Sequence, residues 1–132
     1  MIGLDTNVLV RYIVQDDPEQ SHAAERLIES RCTVQSPGYV GIPVLVELVW
    51  VLTTAYRYDR SVVASVVRQL LRTAEFLVED RETAWMALRE FEAGGTVFAD
   101  CLIGHRNRAR GCDRTYTFDR GAARGHHFKL VS

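Results

Sequence analysis

The feature that most constrains this chain lies at its very start. Ile2-Gly3-Leu4 is a short apolar run that stops abruptly on Asp5, and Thr6-Asn7 follow before an apolar-periodic stretch resumes at Val8-Leu9. Thr and Asn readily cap a helix N-terminus. The run therefore reads as a buried strand turning directly into a helix, which calls for an α/β sheet. In such a sheet Asp5 falls at the carboxyl end of a strand, where open α/β folds keep their ligand crevices. On these residues alone two roles for Asp5 stand open, a helix cap and a ligand.

The alternation continues along the chain. Thr6 to Val14 reads as a short helix with Val8, Leu9, Tyr12 and Ile13 on one side. Asp16-Asp17-Pro18 is a turn, and Pro18 suits the first position of a helix reaching about Ser30, with Ala23, Ala24, Leu27 and Ile28 inward. Cys32 to Gln35 reads as a short strand closed by Ser36-Pro37-Gly38. Ile42 to Thr54 is the most apolar helix and is expected to be buried on most sides. Glu47 sits in its middle, where a carboxylate is costly unless paired or coordinated.

Asp59-Arg60-Ser61 opens another helix, to about Thr73, with Val62, Val63, Val66, Val67, Leu70 and Leu71 inward. Glu75 to Val78 is a strand. Asp80 to Glu92 is an amphipathic helix burying Ala84, Met86, Ala87, Leu88 and Phe91, and Gly94-Gly95 ends it. Thr96 to Asp100 leads into a helix ending near Gly111, with Leu102 and Ile103 buried and room left beside Gly104. Asp100 falls in its first turn, where the helix dipole favours an anion. Thr115 to Phe118 is a strand that, like the first, ends on a carboxylate, Asp119. A last strand near His127 to Val131 completes a central, mainly parallel sheet.

A chain of 132 residues, 47% hydrophobic and 25% charged, is expected to form one domain, 1–132, with a real core. Asp5 and Arg11 interrupt any signal-peptide core. The apolar stretch Tyr39 to Leu52 is broken by Pro43 and Glu47 and falls short of the roughly 20 residues needed to span a bilayer. Cys32, Cys101 and Cys112 are odd in number and lack CxxC spacing, so they read as free thiols suited to a reducing cytoplasm. The net charge of −1 hides an asymmetry: residues 1–100 carry 9 basic and 15 acidic side chains, residues 101–132 carry 7 basic and 2 acidic. The C-terminal third is thus suited to meeting a polyanion, although an ordinary solvated Arg-rich face fits the same count.

Four carboxylates stand out for local reasons. Asp5 and Asp119 end strands, Glu47 lies in an apolar helix, and Asp100 begins a helix. Parallel strands put Asp5 and Asp119 at the same edge of the sheet, and helix starts face that edge. Four converging carboxylates would stay ionised only beside a neutralising cation. With no His or Cys placed to join, all-oxygen ligation points to Mg²⁺ or Mn²⁺ rather than Zn²⁺. Such a site suits phosphodiester chemistry, in which an activated water attacks phosphorus and no nucleophilic side chain is needed.

Ile2-Gly3-Leu4-Asp5-Thr6-Asn7-Val8-Leu9, Val46-Glu47-Leu48, Phe98-Ala99-Asp100-Cys101-Leu102-Ile103 and Thr117-Phe118-Asp119 resemble, in order and over essentially the whole chain, the acidic motifs of the PIN-domain family. Within it, the chain resembles the VapC-type toxins of bacterial toxin–antitoxin pairs. The resemblance implies a three-layer α/β/α sandwich with a mainly parallel sheet of four to five strands. It implies an Mg²⁺- or Mn²⁺-dependent endoribonuclease acting on RNA, and a homodimer that a cognate antitoxin neutralises in a heterotetramer or hetero-octamer. By position, Asp5, Glu47, Asp100 and Asp119 would be the metal-binding, catalytic acids, with Asn7, Thr117 and Thr6 as polar supports. Phe98 departs from the small polar or basic residue that many relatives place before the Ala-Asp pair.

Arg106, Arg108, Arg110, Arg114, Arg120 and Arg124 are candidates for phosphate contacts, and Arg120 leads because it adjoins Asp119. Trp50 and Trp85 read as core or dimer contacts, and His22 and His105 as surface residues. Adjacent His126 and His127 would point to opposite faces of a strand. Two rival readings remain: a non-catalytic RNA-binding or dimerisation module, and a haloacid-dehalogenase-like phosphatase. The latter wants an acid where Asn7 stands, and a downstream Lys that only Lys129 could supply.

Overall fold

The computed structural model describes residues 1–132, which form two compact units, 1–81 and 82–132. In the first unit the order is β1 (Ile2–Gly3), α1 (Thr6–Val14), α2 (Pro18–Arg31), β2 (Gly38–Val40), α3 (Ile42–Thr54), α4 (Arg60–Arg72) and β3 (Phe76–Val78). The strands form one parallel sheet in the order β1-β2-β3, with Ile2 opposite Gly38 and Gly38 opposite Phe76. The second unit contains α5 (Arg81–Glu92, from its second residue), α6 (Phe98–Ala109), β4 (Thr115–Thr117), a 3₁₀ turn (Ala122–Arg124) and β5 (Phe128–Leu130). Here β4 and β5 pair in parallel, Thr115 opposite Phe128. The α/β class and the parallel pairing stand, as three strands plus two.

The strands are short, so neighbours fix their place. Leu4 N–H still donates to the Tyr39 carbonyl beyond the end of β1, at 3.0 Å. Gly38 lets β1 and the end of α2 close over β2: a Cβ there would come within 2.7 Å of both Leu4 Cδ1 and Cys32 Sγ. Leu9, Val40, Leu45, Leu48, Leu52, Val63, Val67 and Leu71 are fully buried in this unit.

Several expectations are corrected. The strand expected at Cys32 to Gln35 is a turn, closed by Thr33 N–H to the Ser36 carbonyl and by Ser36 N–H to Thr33 Oγ1. The strand begins instead at Gly38, which the sequence had assigned to the turn. Helix α3 is not buried all round, because Pro43, Glu47 and Trp50 lie on an exposed side and Trp50 is 64% exposed. Ala23, Val62, Met86 and Ile103, expected inward, are exposed as well. The room expected beside Gly104 is filled by the Phe128 ring, whose Cε1 would lie 2.9 Å from an added Cβ. His105, expected at the surface, has a side chain only 10% exposed.

The contrast between neighbours on α3 is testable. Leu48→Ala is expected to cost about 2–5 kcal/mol through the cavity it leaves, whereas Glu47→Gln, on the exposed side, should change stability by less than about 0.5 kcal/mol. Gly104→Ala should cost about 1–3 kcal/mol by overpacking against Phe128. Chemical denaturation of the three variants checks all of these values.

Candidate metal and phosphodiester site

In the first unit the corner after β1 is set by Asp5. Its backbone is extended, it is the N-cap of α1, and its Oδ1 accepts from the Thr6 N–H at 2.7 Å. The capping expected of Thr6 and Asn7 is therefore done by Asp5. A carboxylate has two oxygens, so this bond leaves Oδ2 free for a ligand, and the two roles left open for Asp5 are compatible.

Asp5, Thr6, Asn7 and Glu47 line a single open recess of about 810 Å³ together with Val10, Arg11, Val51, Ala55 and Tyr56. Thr6 Oγ1 is buried there without a hydrogen-bond partner. Glu47 reaches this recess from the exposed side of α3, which explains how a carboxylate sits in so apolar a helix without desolvation. Helix α3 itself starts at Gly41 with no side-chain cap of its own. Glu79, just past β3, supplies one by accepting from the Ile42 N–H at 2.8 Å.

The sequence reading missed two groups of this recess. Arg11 NH1 donates to Asp16 Oδ1 at 2.8 Å, Tyr56 O–H donates to Asp16 Oδ2 at 2.8 Å, and Arg11 Nε donates to Gln20 Oε1 at 2.8 Å. Hydrogen bonding from Tyr56, helped by a bond to Asp16's own backbone and by Arg11, holds the Asp16 carboxyl below the usual range, against burial, which raises it. Nothing in the local pattern of Arg11 distinguishes it from a solvated helix arginine; its partners lie 5, 9 and 45 residues away in sequence.

In the second unit Asp100 is half-buried in the first turn of α6. Burial first, and the charge of Asp119 second, push its carboxyl above the usual aspartate range. Asp119 Oδ1 accepts from the Gly121 N–H at 2.7 Å and from the Ala122 N–H at 3.3 Å, and Thr117 Oγ1 accepts from the Asp119 N–H at 3.0 Å. These bonds fix the turn after β4, as the Asp5 bond fixes the one after β1. Arg120 and Arg124 are exposed around that turn. Arg108 pairs with Asp113 at 3.7 Å, Arg114 donates to the Asp113 carbonyl at 3.1 Å, and Arg106 is half-buried.

Within neither unit do three His, Cys, Asp or Glu side chains gather as a ready-made metal cage. The donors nevertheless fit a hard divalent cation: they are all oxygens, Asp5 keeps one oxygen free, and Asp100 beside Asp119 bears a like-charge cost that a cation would relieve.

The PIN domain family matches residues 2–126, so the match runs through both units. This chain belongs to the PIN domain family. It is also 26% identical over 117 residues to a VapC ribonuclease of Aquifex aeolicus (strain VF5), covering 89% of this chain and 86% of that protein. No helix is long and apolar enough to cross a membrane.

The raised Asp100 has a consequence for stability. The folded chain holds this proton more tightly than the unfolded one, so the carboxyl contributes stability below the usual aspartate value of about 3.9. That contribution is lost as pH rises through the raised folded value. Asp100→Asn is therefore expected to be at least as stable as the parent at neutral pH, with no advantage left at about pH 3. Thermal denaturation across that range checks it, and a loss of stability at neutral pH would contradict it.

Proposed function

We propose that the chain is a metal-dependent endoribonuclease of the VapC type, using Asp5, Glu47, Asp100 and Asp119 to hold Mg²⁺ or Mn²⁺. The observation that carries the reading is the pairing of Asp5 and Glu47, distant in sequence, in one polar recess of a chain whose family match spans 2–126. The VapC ribonuclease relative supports RNA as the substrate.

When bound, the cation would lower the pKa of a water and neutralise charge on the phosphate. The protein's own part is to hold oxygen donors in place. Asp5 is kept in one orientation by its bond to Thr6 N–H, and Asp119 by its bonds to Gly121 and Ala122. Glu47, exposed and uncommitted to the α3 backbone, is suited to taking the proton of the attacking water or to holding a cation. Asn7 offers a further polar group on the same recess, Thr6 fixes Asp5 through its N–H, and Thr117 steadies Asp119. Arg120, Arg106, Arg108 and Arg124 are the proposed phosphate contacts, with Arg120 nearest in sequence to the acid.

In the same reading the chain forms a homodimer, works in the cytoplasm as the toxin of a toxin–antitoxin pair, and is neutralised by a cognate antitoxin in a heterotetramer or hetero-octamer. All three cysteines are free thiols, as that compartment requires.

Purified protein incubated with total RNA and Mg²⁺ or Mn²⁺ should cleave it, and EDTA should stop the reaction. Asp5→Asn should abolish cleavage, and Glu47→Gln should slow it by roughly 10²- to 10⁴-fold, the range for a positioned acid–base group. Cleavage that survives EDTA or that Asp5→Asn performs as fast as the parent would sink the reading of a metal-dependent nuclease built on these acids. RNA binding without any cleavage would favour the non-catalytic module.

A further inference from the structure

The second unit contains a polar link, buried where Glu90 meets His105 and exposed at His126, that the proposed chemistry does not use. Glu90, near the end of α5, has a side chain only 8% exposed. Its Oε1 lies 2.8 Å from His105 Nε2 on α6, and its Oε2 accepts from the His126 backbone N–H at 3.4 Å. His105 stands on α6, whose first turn carries Asp100, and His126 on the segment that follows the Asp119 turn.

The surroundings are shaped to this link. Gly95 folds back over Glu90, donating to its carbonyl at 3.0 Å, and a Cβ on Gly95 would fall 2.7 Å from that carbonyl oxygen. Gly125 approaches from the other side, where a Cβ would lie 3.5 Å from Glu90 Oε2. The His127 ring packs edge-on against His105 with centroids 4.8 Å apart, and Phe128 closes on Gly104. His105 Nδ1 is buried without a partner, so the tautomer with its proton on Nε2, donating to Glu90, leaves no buried donor unsatisfied. A buried carboxylate with both oxygens engaged is a costly element to keep for packing alone, because an apolar side chain would fill the space without desolvation.

We propose that Glu90 is a positioning residue for the acid pair of this unit: by tying α6 to the segment after β4, the Glu90–His105–His126 link sets the separation of Asp100 and Asp119 and thereby the affinity for a divalent cation. The inference rests on the reading of Asp100 and Asp119 as cation ligands. The link acts at one remove, since none of its three groups is assigned to the cation. It fits the general behaviour of groups that orient metal ligands, whose loss costs about 10–100-fold in metal affinity.

The test uses the full chain and Mn²⁺ alone, with free Mn²⁺ followed by electron paramagnetic resonance and folding by circular dichroism. Glu90→Ala should weaken Mn²⁺ binding by about 10–100-fold. His105→Phe keeps the ring volume and the packing on His127 but removes the polar link, and it should weaken binding in the same direction. Glu90→Gln can accept from only one of the two groups, and donating to His105 Nε2 would move that ring's proton to the buried, partnerless Nδ1, so it should weaken binding in the same direction but by less than Glu90→Ala. The His126 amide should exchange more slowly with solvent in the unaltered chain than in Glu90→Ala. Folded His105→Phe binding Mn²⁺ as tightly as the parent, or His126 exchange no slower in the parent than in Glu90→Ala, overturns the proposal while leaving the nuclease reading intact. A parent chain that binds no Mn²⁺ overturns the metal reading itself.

Discussion

A strand of two residues cannot hold its own position, and the placement of the first acid depends on how that problem is solved. β1 is fixed by pairing to β2, the Leu4 bond to Tyr39 extends the pairing past its end, and Gly38 makes the close approach possible. Only then does Asp5 arrive where its carboxylate can cap α1 and still present an oxygen outward. The acid is thus a product of the sheet register. A larger residue at position 38 would press on Leu4, the residue immediately before Asp5, and so disturb the site from beneath it.

The second unit solves a related problem by different means. Asp100 gains from the start of α6, where unsatisfied N–H groups favour an anion, but partial burial and the neighbouring Asp119 work against its charged form, and the net effect lifts its carboxyl above the usual aspartate range. An arrangement that raises the energy of a carboxylate is not selected for stability. It is the pattern expected where a charge waits for a counter-charge. The turn after β4 holds Asp119 with two backbone donors, so relaxation of the pair by swinging Asp119 away would sacrifice those bonds.

Much of the fold was legible because its signals are local. The bounds of α1 and α3 follow from the apolar pattern, Pro43 and the residues before Thr6, and the structure has them at Thr6–Val14 and Ile42–Thr54. β2 was misplaced because Cys32-Thr33-Val34-Gln35 has strand-forming residues, whereas Gly38 looks like a turn. The decision lies in tertiary packing, where only a residue without a Cβ fits between Leu4 and Cys32. The exposed side of α3 was also invisible, since Val44, Val46 and Val51 around Glu47 and Trp50 make the helix apolar in sequence although these three are only half-buried. The four acids could be singled out because each breaks a local rule. The Glu90–His105 link could not, because each residue alone is an ordinary occupant of an amphipathic helix and the link joins groups 15 residues apart.

The charge distribution bears on how such a site could meet RNA. The acids of the proposed site and a phosphodiester repel one another, and the net −6 of residues 1–100 adds to that repulsion. The net +5 of residues 101–132 works in the opposite direction, and its arginines cluster on either side of Asp119 in sequence. Some of that charge is already spent, with Arg108 paired to Asp113. Arg120 and Arg124 remain exposed beside the Asp119 turn. Attraction for the backbone of a polyanion and neutralisation of the reacting phosphate are therefore separate tasks here. In the proposed mechanism the arginines can serve the first at a distance of several residues from the acids, but they cannot replace a cation among the acids, because a guanidinium pairing with Asp119 would occupy the oxygens that the proposed chemistry needs. That division makes an overall charge of −1 compatible with the polyanionic substrate proposed for the chain.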